Sequence, residues 1–334
     1  MATTPIKNAY MDVRFDMGNS TSAANINPEL AHLKAVGYNT VTLAAQVSVN
    51  LQTGAADAGK PLPADFWNEV DYAHSIGLNV FIRASIDVGF NADGSWNGGD
   101  PVFQKNTVLG SGVSVQQIFN NAAAYEKSLA SQAQAHHVEG FFVGSNNWGF
   151  DDTQAAQQYF KPIIDSVRSV YSGQIGYEAI YNNAVFGMVN IVDYEIRPNI
   201  GSGTSVDQIV SQWNALGATQ SLKNMANAYS GQTFLAHYYD EAQAGIGNPS
   251  LIWTTFMNNP AALSSIQVNY AEQVMAYQAF IQVAHNAGVK GVTYSEYDPW
   301  VVYSSPSFQQ AAKLGLDLWS SPVEGQIAGT LAAL

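Results

Sequence analysis

The hydrophobic positions of the chain repeat one unit: an amphipathic helical stretch, a glycine, and then a short run of β-branched or aromatic residues. The unit is clearest at residues 32–43 and 72–83, and further copies place Gly140, Gly173, Gly231 and Gly288 before apolar runs. A glycine after a helix supplies the left-handed residue that turns the chain toward the next strand. We therefore expect left-handed glycines at these junctions.

The repeated unit predicts eight strands, near residues 9–15, 39–47, 78–87, 139–145, 174–180, 190–197, 232–239 and 289–297. Strands that alternate with helices form right-handed βαβ units and a parallel sheet. Eight of them favour an α/β fold of the (β/α)₈ barrel type over an open doubly wound sheet, which is the structural alternative. We expect one domain over 1–334, with a barrel core at about 8–320 and a tail at 321–334.

Composition excludes several functions. The net charge is −13, with 13 Lys and Arg and no run of them, which argues against nucleic acid as a partner. The absence of cysteine excludes disulfides and thiolate chemistry. No dinucleotide or P-loop glycine pattern and no HExxH spacing occurs, so we expect no cofactor and no metal.

The same composition bears on location. No apolar run reaches the length of a membrane span, so we expect no membrane association. The first residues lack the basic stretch and apolar core of a signal peptide. Few charges, no cysteine and abundant Asn, Gln, Ser and Gly are typical of exported bacterial proteins, and we expect an extracellular or secreted protein.

Candidate chemistry lies at the carboxyl-terminal ends of the strands, where barrel enzymes carry their reactive groups. These ends hold about ten of the 26 acidic residues. Carboxylates among tyrosines and tryptophans suit a carbohydrate, because carboxylates bind hydroxyls and aromatic rings stack on the apolar face of a sugar. The residues predicted to contact the sugar are Asp12, Asn146, Asn147, Trp148, Glu178, Arg197, His237, Tyr238, Glu241 and Trp300.

Several of these residues also have a structural interpretation. Arg197 lies two residues from Glu195, on the same face of a strand, where it would neutralise that carboxylate. Glu178 would point outward under a helix, and Trp148 and Trp300 would pack on the barrel rim. Asp193 would orient a neighbouring strand.

Five segments of the chain form a familiar pattern over roughly residues 10–300: residues 37–41, 73–78, 140–145, 163–173 and 192–194. In these segments the sequence resembles a clan of TIM-barrel glycoside hydrolases that includes the β-mannanases of glycoside hydrolase family 113. It also resembles the related barrel domain of gene-transfer-agent tail proteins. The resemblance implies a TIM barrel and activity on a glycan.

The chain departs from the family where the resemblance implies the catalytic pair. The family's strand four ends in a glutamate acid/base, but here Gly144 and Ser145 are followed by Asn146. The family's strand seven ends in a glutamate nucleophile, where our alignment places His237. Because an amide cannot deliver a proton to a leaving oxygen, the usual retaining mechanism does not carry over.

Three hypotheses follow. In the first, the chain hydrolyses a polysaccharide or oligosaccharide with relocated carboxylates, for which the candidates are Glu195, Glu296 and Asp240. In the second, it is a non-catalytic carbohydrate-binding or assembly module derived from a glycosidase barrel. The third is a different barrel chemistry, such as that of a lyase or of a hydrolase acting on another substrate.

Overall fold

The sheet of the protein, described from a computed structural model, is a closed barrel of eight parallel strands. The structure describes residues 4–11, 23–45, 47–56, 62, 65–88, 103–240, 252, 255, 258–297, 306–316, 318 and 321–334. The strands are β1 (Ile6–Met11), β2 (Thr40–Ala44), β3 (Asn79–Arg83), β4 (Gly140–Ser145), β5 (Gln174–Ala179), β6 (Ile191–Glu195), β7 (Thr233–Tyr238) and β8 (Gly291–Tyr297). Their order around the barrel is β1-β8-β7-β6-β5-β4-β3-β2. The predicted (β/α)₈ barrel is confirmed.

Helices connect the strands, and two more follow the last strand. They are α1 (Ala23–Val36), α2 (Phe66–Ser75), α3 (Val115–Ala135), α4 (Lys161–Arg168), α5 (Val206–Ala215), α6 (Ala218–Ala228), α7 (Tyr270–Ala287), α8 (Pro306–Ala311) and α9 (Glu324–Gly329). A short helix at Thr153–Ala155 and a π-turn at Ala156–Phe160 lead directly into α4. Helix α3 begins at Ser114, whose side chain accepts a hydrogen bond from the Gln117 N–H and so satisfies a free donor of the first turn.

The predicted second and third strands extend past the end of the barrel pairing. There the chain forms a separate two-stranded parallel sheet, in which Val47–Ser48 pairs with Ile86–Asp87. The first strand also begins earlier than predicted, at Ile6. Hydrophobic runs therefore located the strands, but they did not show where the barrel pairing ends.

The glycine signal was correct at three junctions and wrong at three. Gly37, Gly77 and Gly288 have left-handed φ values of +110°, +80° and +74°. Gly140, Gly173 and Gly231 do not, and before β4 the left-handed residue is His137, with φ +56°. Gly140 has a different reason to be glycine, because a Cβ there would lie 2.6 Å from the Phe81 ring.

The chain divides into two compact units. One unit contains Met1–Asp12, Pro28–Val41 and Tyr194–Leu334, and the other contains Val13–Asn27 and Thr42–Asp193. In the first, Gly291 leaves room for Ile6 and Leu235 inside the sheet. In the second, Phe81 and Phe142 pack with ring centroids 5.8 Å apart. One domain over the whole chain stays a prediction.

Candidate functional site

Buried carboxylates mark the carboxyl ends of β5 and β6. Because side chains alternate along a strand, Asp193 and Glu195 lie on one face of β6 and Tyr194 lies on the other. Glu178, Asp193 and Glu195 are 4%, 3% and 3% exposed. Burying an ionised carboxylate costs several kcal/mol unless it is paired and hydrogen-bonded, so the partners of these three residues decide what they can do.

Glu178 is bound by an arginine and a serine. The Arg83 Nη1 of β3 donates a hydrogen bond to its Oε2 at 2.7 Å, and the Ser145 hydroxyl of β4 donates to its Oε1 at 3.1 Å. An oxygen of Asp193 lies within 4.8 Å of an oxygen of Glu178. Glu178 therefore does not point outward under a helix. Although carboxylate oxygens suit a hard cation, both oxygens of Glu178 already accept hydrogen bonds.

Glu195 forms an ion pair with Arg197. The Arg197 Nε and Nη2 groups both donate to the Glu195 Oε1, and the guanidinium lies 4.7 Å from the centroid of the Tyr239 ring. A cation over an aromatic face is held by the electrostatic field of the ring. The ion pair fixes the orientation of the Glu195 side chain at the end of β6.

His237 is the last residue of β7 whose side chain faces the inside of the sheet. Its Nε2 is hydrogen-bonded to the Ser295 hydroxyl of β8, and its ring lies 6.3 Å from the Tyr10 ring of β1. The His237 carbonyl accepts the Ile196 N–H at 2.9 Å. The imidazole is 2% exposed. Ser295 and Tyr10 were not among the site residues predicted from the sequence, although each lies at an inward-facing position near the end of a strand.

Tyr238 faces the helices. Its ring stacks on Phe280 of α7 at a centroid distance of 4.7 Å, and Trp213 of α5 lies 5.6 Å away. Adjacent strand residues point to opposite faces, so His237 and Tyr238 cannot both line the interior. With 2% of its surface exposed, Tyr238 packs the layer between sheet and helices, and this location does not support the predicted sugar contact.

Asp240 follows β7 and is docked against α7. Its N–H donates to the Tyr277 hydroxyl at 3.4 Å, and its carbonyl accepts from the Gln273 amide at 2.7 Å. Burial raises the pKa values of the Tyr238 and Tyr277 hydroxyls, and the charge of Asp240 adds to both shifts. Asp240 itself is 2% exposed, and the two tyrosines are buried as well.

The two asparagines after β4 have structural hydrogen bonds. Asn147 is fully buried, its N–H donates to the Tyr177 hydroxyl at 3.2 Å, and its Nδ2 donates to the Phe103 carbonyl at 3.1 Å. Asn146 is left-handed, with φ +49°, and its Oδ1 accepts the Ile180 N–H at 2.9 Å. Asn146 thus ties the segment after β4 to the segment after β5.

An open cleft lies beside Asn146. It has a volume of about 510 Å³ and is lined by Trp148, Gly149, Ile180 and Tyr181. The Trp148 and Tyr181 rings meet edge to face, with centroids 5.4 Å apart and planes at 80°. Trp148 is 48% exposed and Ile180 is 39% exposed. Sequence analysis identified only Trp148, because a tyrosine two residues past a strand carries no distinctive pattern.

Asp151 lies behind the cleft. It is 2% exposed and accepts hydrogen bonds from the Tyr181 hydroxyl and, at 3.3 Å, from the Tyr177 hydroxyl. Burial raises the pKa of the Asp151 carboxyl, and the tyrosine hydrogen bonds oppose that shift by favouring the ionised form. Asp151 therefore anchors a ring whose face is available to solvent.

The structure describes no side chain for four of the predicted residues. Asp12, Glu241 and Trp300 lie outside the described residues. Glu296 lies in β8, but its side chain is not among those described. In the part of the chain that the structure describes, no helix is long and apolar enough to cross a membrane.

Comparison with known proteins identifies relatives by family and by fold. The model of Glycoside Hydrolase Family 113 matches residues 20–197, more than half of the chain. No curated protein matches the sequence. Among solved structures, a GH113 β-1,4-mannanase complex has a TM-score of 0.69 at 15% identity, covering 99% of this chain and 100% of its own.

Two further structures share the fold. The GH113 β-mannanase AaManA of Alicyclobacillus acidocaldarius, in complex with ManMIm, has a TM-score of 0.68 at 17% identity and covers 99% of this chain and 98% of its own. An endo-1,4-β-mannanase of Rhizomucor miehei has a TM-score of 0.58 at 10% identity, covering 100% and 96%. At these identities the likeness describes architecture.

Proposed function

We propose that this chain, which belongs to glycoside hydrolase family 113, cleaves glycosidic bonds of a polysaccharide or oligosaccharide with carboxylates that differ from the family pair. The observation that carries the proposal is the presence of two buried carboxylates at strand ends, Glu178 and Glu195, each of which is paired with an arginine, Arg83 and Arg197. Ionisable groups in perturbed surroundings cluster at functional sites. The carboxyl ends of the strands are the active face of a barrel.

Glu195 is the proposed ionised carboxylate. With Arg197 as its counter-charge, it is suited to act as a nucleophile or as the base that activates water. Asp240 is the proposed acid, because its side chain is buried just after the end of β7, and a general acid is favoured where burial disfavours the charged form of a carboxyl group. Glu296, on β8, is the third candidate for either role.

The substrate class comes from the relatives. Several solved relatives are named as β-1,4-mannanases, so we propose a β-linked mannan or glucomannan as the first substrate to test. Arg83 and Glu178 would bind sugar hydroxyls in this proposal, because a fixed guanidinium and carboxylate offer both donors and acceptors. We also propose that the protein acts outside the cell; finding it in the cell lysate rather than in the culture medium would contradict this.

The test is an assay of reducing ends. Wild type is incubated with mannan, glucomannan, xylan and cellulose beside Glu195→Gln, Asp240→Asn and Glu296→Gln. Loss of the true acid lowers kcat by about 10²-fold or more. Asp165→Asn on the exposed face of α4, where Asp165 pairs with Lys161, is the matched control and retains full activity.

A second function has its own observation. Asn146 uses its carboxamide to hold the backbone of Ile180, so the position that carries a proton donor in the family has a structural role here. This favours a non-catalytic carbohydrate-binding module. Two measurements distinguish these functions. A binding module migrates more slowly in a native gel that contains the polysaccharide, yet it releases no reducing ends from that polysaccharide.

A further inference from the structure

We infer that the cleft between Trp148 and Tyr181 is a sugar-binding subsite, and that Asn146 and Asp151 are the residues that position its two walls. The inference deepens the proposed function and rests on it for the class of ligand, a pyranose unit of a polysaccharide.

The shape of the cleft suits a sugar ring. Two aromatic planes at 80° form a corner, and a pyranose that stacks its apolar face on one plane meets the edge or face of the other. The volume of about 510 Å³ lies in the range of small-molecule sites. The lining residues carry no charge, which favours a neutral ligand over a phosphate or a charged peptide.

The walls are fixed from the backbone. The Asn146 N–H donates a hydrogen bond to the Glu178 carbonyl at 3.1 Å, and the Asn146 carbonyl accepts one from the Trp148 N–H at 2.8 Å. The Asn146 Oδ1 accepts a third hydrogen bond from the Ile180 N–H at 2.9 Å. One residue therefore connects the segment that carries Trp148 to the segment that carries Ile180 and Tyr181. A ligand that binds a preformed corner does not lose affinity by ordering it.

The turn that presents Trp148 is tightly packed. Gly149 has φ +81°, and a Cβ there would lie 2.8 Å from the Lys105 Cβ. The Lys105 N–H also donates to the Trp148 carbonyl at 3.0 Å. Trp148 therefore remains half-exposed because its backbone is held in place, rather than because the segment lacks contacts.

The Tyr181 ring is held by a buried acceptor. Its hydroxyl donates to Asp151, which is 2% exposed, so the hydroxyl points away from the cleft and the ring is left facing it. The Tyr177 hydroxyl donates to the same carboxylate at 3.3 Å. Asp151 acts through Tyr181 and is a positioning residue.

The experiment is affinity electrophoresis in gels that contain glucomannan, galactomannan, xylan or β-glucan, with the best-retarding polysaccharide then used for the variants. Trp148→Leu keeps an apolar side chain without a flat ring and raises the dissociation constant about tenfold or more. Trp148→Phe keeps a ring and retains most of the retardation. Trp67→Leu on α2, where Trp67 stacks on His136, is the matched control and binds as wild type does.

The positioning role has a separate readout. Tyr181→Phe and Asp151→Ala each weaken retardation, and the double variant is no weaker than either single variant because both remove the same anchor. Asp151→Asn retains an acceptor for the tyrosine and rescues binding. Equal loss in Asp151→Asn and Asp151→Ala would overturn this role.

The outcomes also separate the subsite from the reaction. Retardation of wild type that is unchanged in folded Trp148→Leu overturns the subsite and leaves the proposed function intact. Retardation that depends on Trp148, together with no release of reducing ends, supports the subsite and overturns hydrolysis. If no polysaccharide retards wild type, the subsite is overturned, and the release of reducing ends decides the proposed function separately.

Discussion

The Asn146 carboxamide oxygen accepts the backbone N–H of Ile180 at 2.9 Å, and this hydrogen bond joins the segments that follow β4 and β5. Asn146 is also left-handed, with φ +49°, a conformation that asparagine adopts more readily than most residues. Asn146 is therefore suited to its local backbone. Its side chain accepts a hydrogen bond from the Ile180 N–H, and a glutamate, which is one methylene longer, could not accept that bond in the same geometry.

We expect Asn146→Glu to cost stability without raising the rate of hydrolysis above that of wild type. A glutamate in the left-handed region costs about 1–2 kcal/mol, and the hydrogen bond to Ile180 is lost as well. Urea unfolding measures the change in the free energy of unfolding, and Asn146→Asp is the control that keeps the short side chain and its acceptor. A glutamate variant that is as stable as wild type, or that releases reducing ends faster than wild type, would contradict this prediction.

Breaking the Arg83–Glu178 pair is expected to destabilise the protein strongly. Arg83→Met leaves a buried carboxylate without its counter-charge, which costs about 3–5 kcal/mol. The double variant Arg83→Met with Glu178→Gln removes that charge and recovers most of the loss. Chemical denaturation of the two variants tests this, and a double variant no more stable than the single one would show that charge is not the cause.

Glu69 on α2 should make stability depend on pH. Burial and, secondarily, the charge of Asp65 raise the pKa of its carboxyl from 4.5 to about 9. Between these two pKa values the folded protein holds a proton that the unfolded chain releases. The contribution of Glu69 to the free energy of unfolding is therefore fully present below pH 4.5 and is lost as pH rises toward 9. Glu69→Gln removes this slope in the melting temperature, and an unchanged slope contradicts the assignment.

Glu126 on α3 is expected to be replaceable with a gain in stability. It is fully buried, neither of its carboxyl oxygens has a hydrogen-bond partner among the described residues, and burial raises its pKa. Glu126→Met removes an unsatisfied polar group, with a gain of about 1–3 kcal/mol. Because the wild-type carboxyl must stay protonated to fold, the gain is larger at pH 8 than at pH 5. Urea midpoints at the two pH values measure it.

The sequence predicted the barrel well because its signals are local. Apolar runs bounded by helix ends located all eight strands, and glycines at 37, 77 and 288 take the predicted left-handed conformation. The signal was wrong at Gly140, where glycine serves close packing against Phe81. A helix-ending residue and a packing glycine look alike in a single sequence, so only the structure separates them.

The site was less predictable because it depends on which face a side chain takes. Alternation states that His237 and Tyr238 face opposite ways, but it does not state which of them faces inward. The Arg83–Glu178 pair joins residues 95 positions apart, and no spacing in the sequence connects them. Asp151 and Tyr181 are likewise brought together only by the fold.

The most direct test of the central claim is the rate of reducing-end release by Glu195→Gln and Asp240→Asn, measured against wild type on the best polysaccharide of the panel. Circular dichroism and melting temperature establish that the variants are folded. The account predicts that wild type cleaves the polysaccharide and that both variants lose about 10²-fold or more in kcat, with Asp165→Asn unaffected. Full activity in both variants, or a wild type that binds the polysaccharide and cleaves none of it, would contradict the claim.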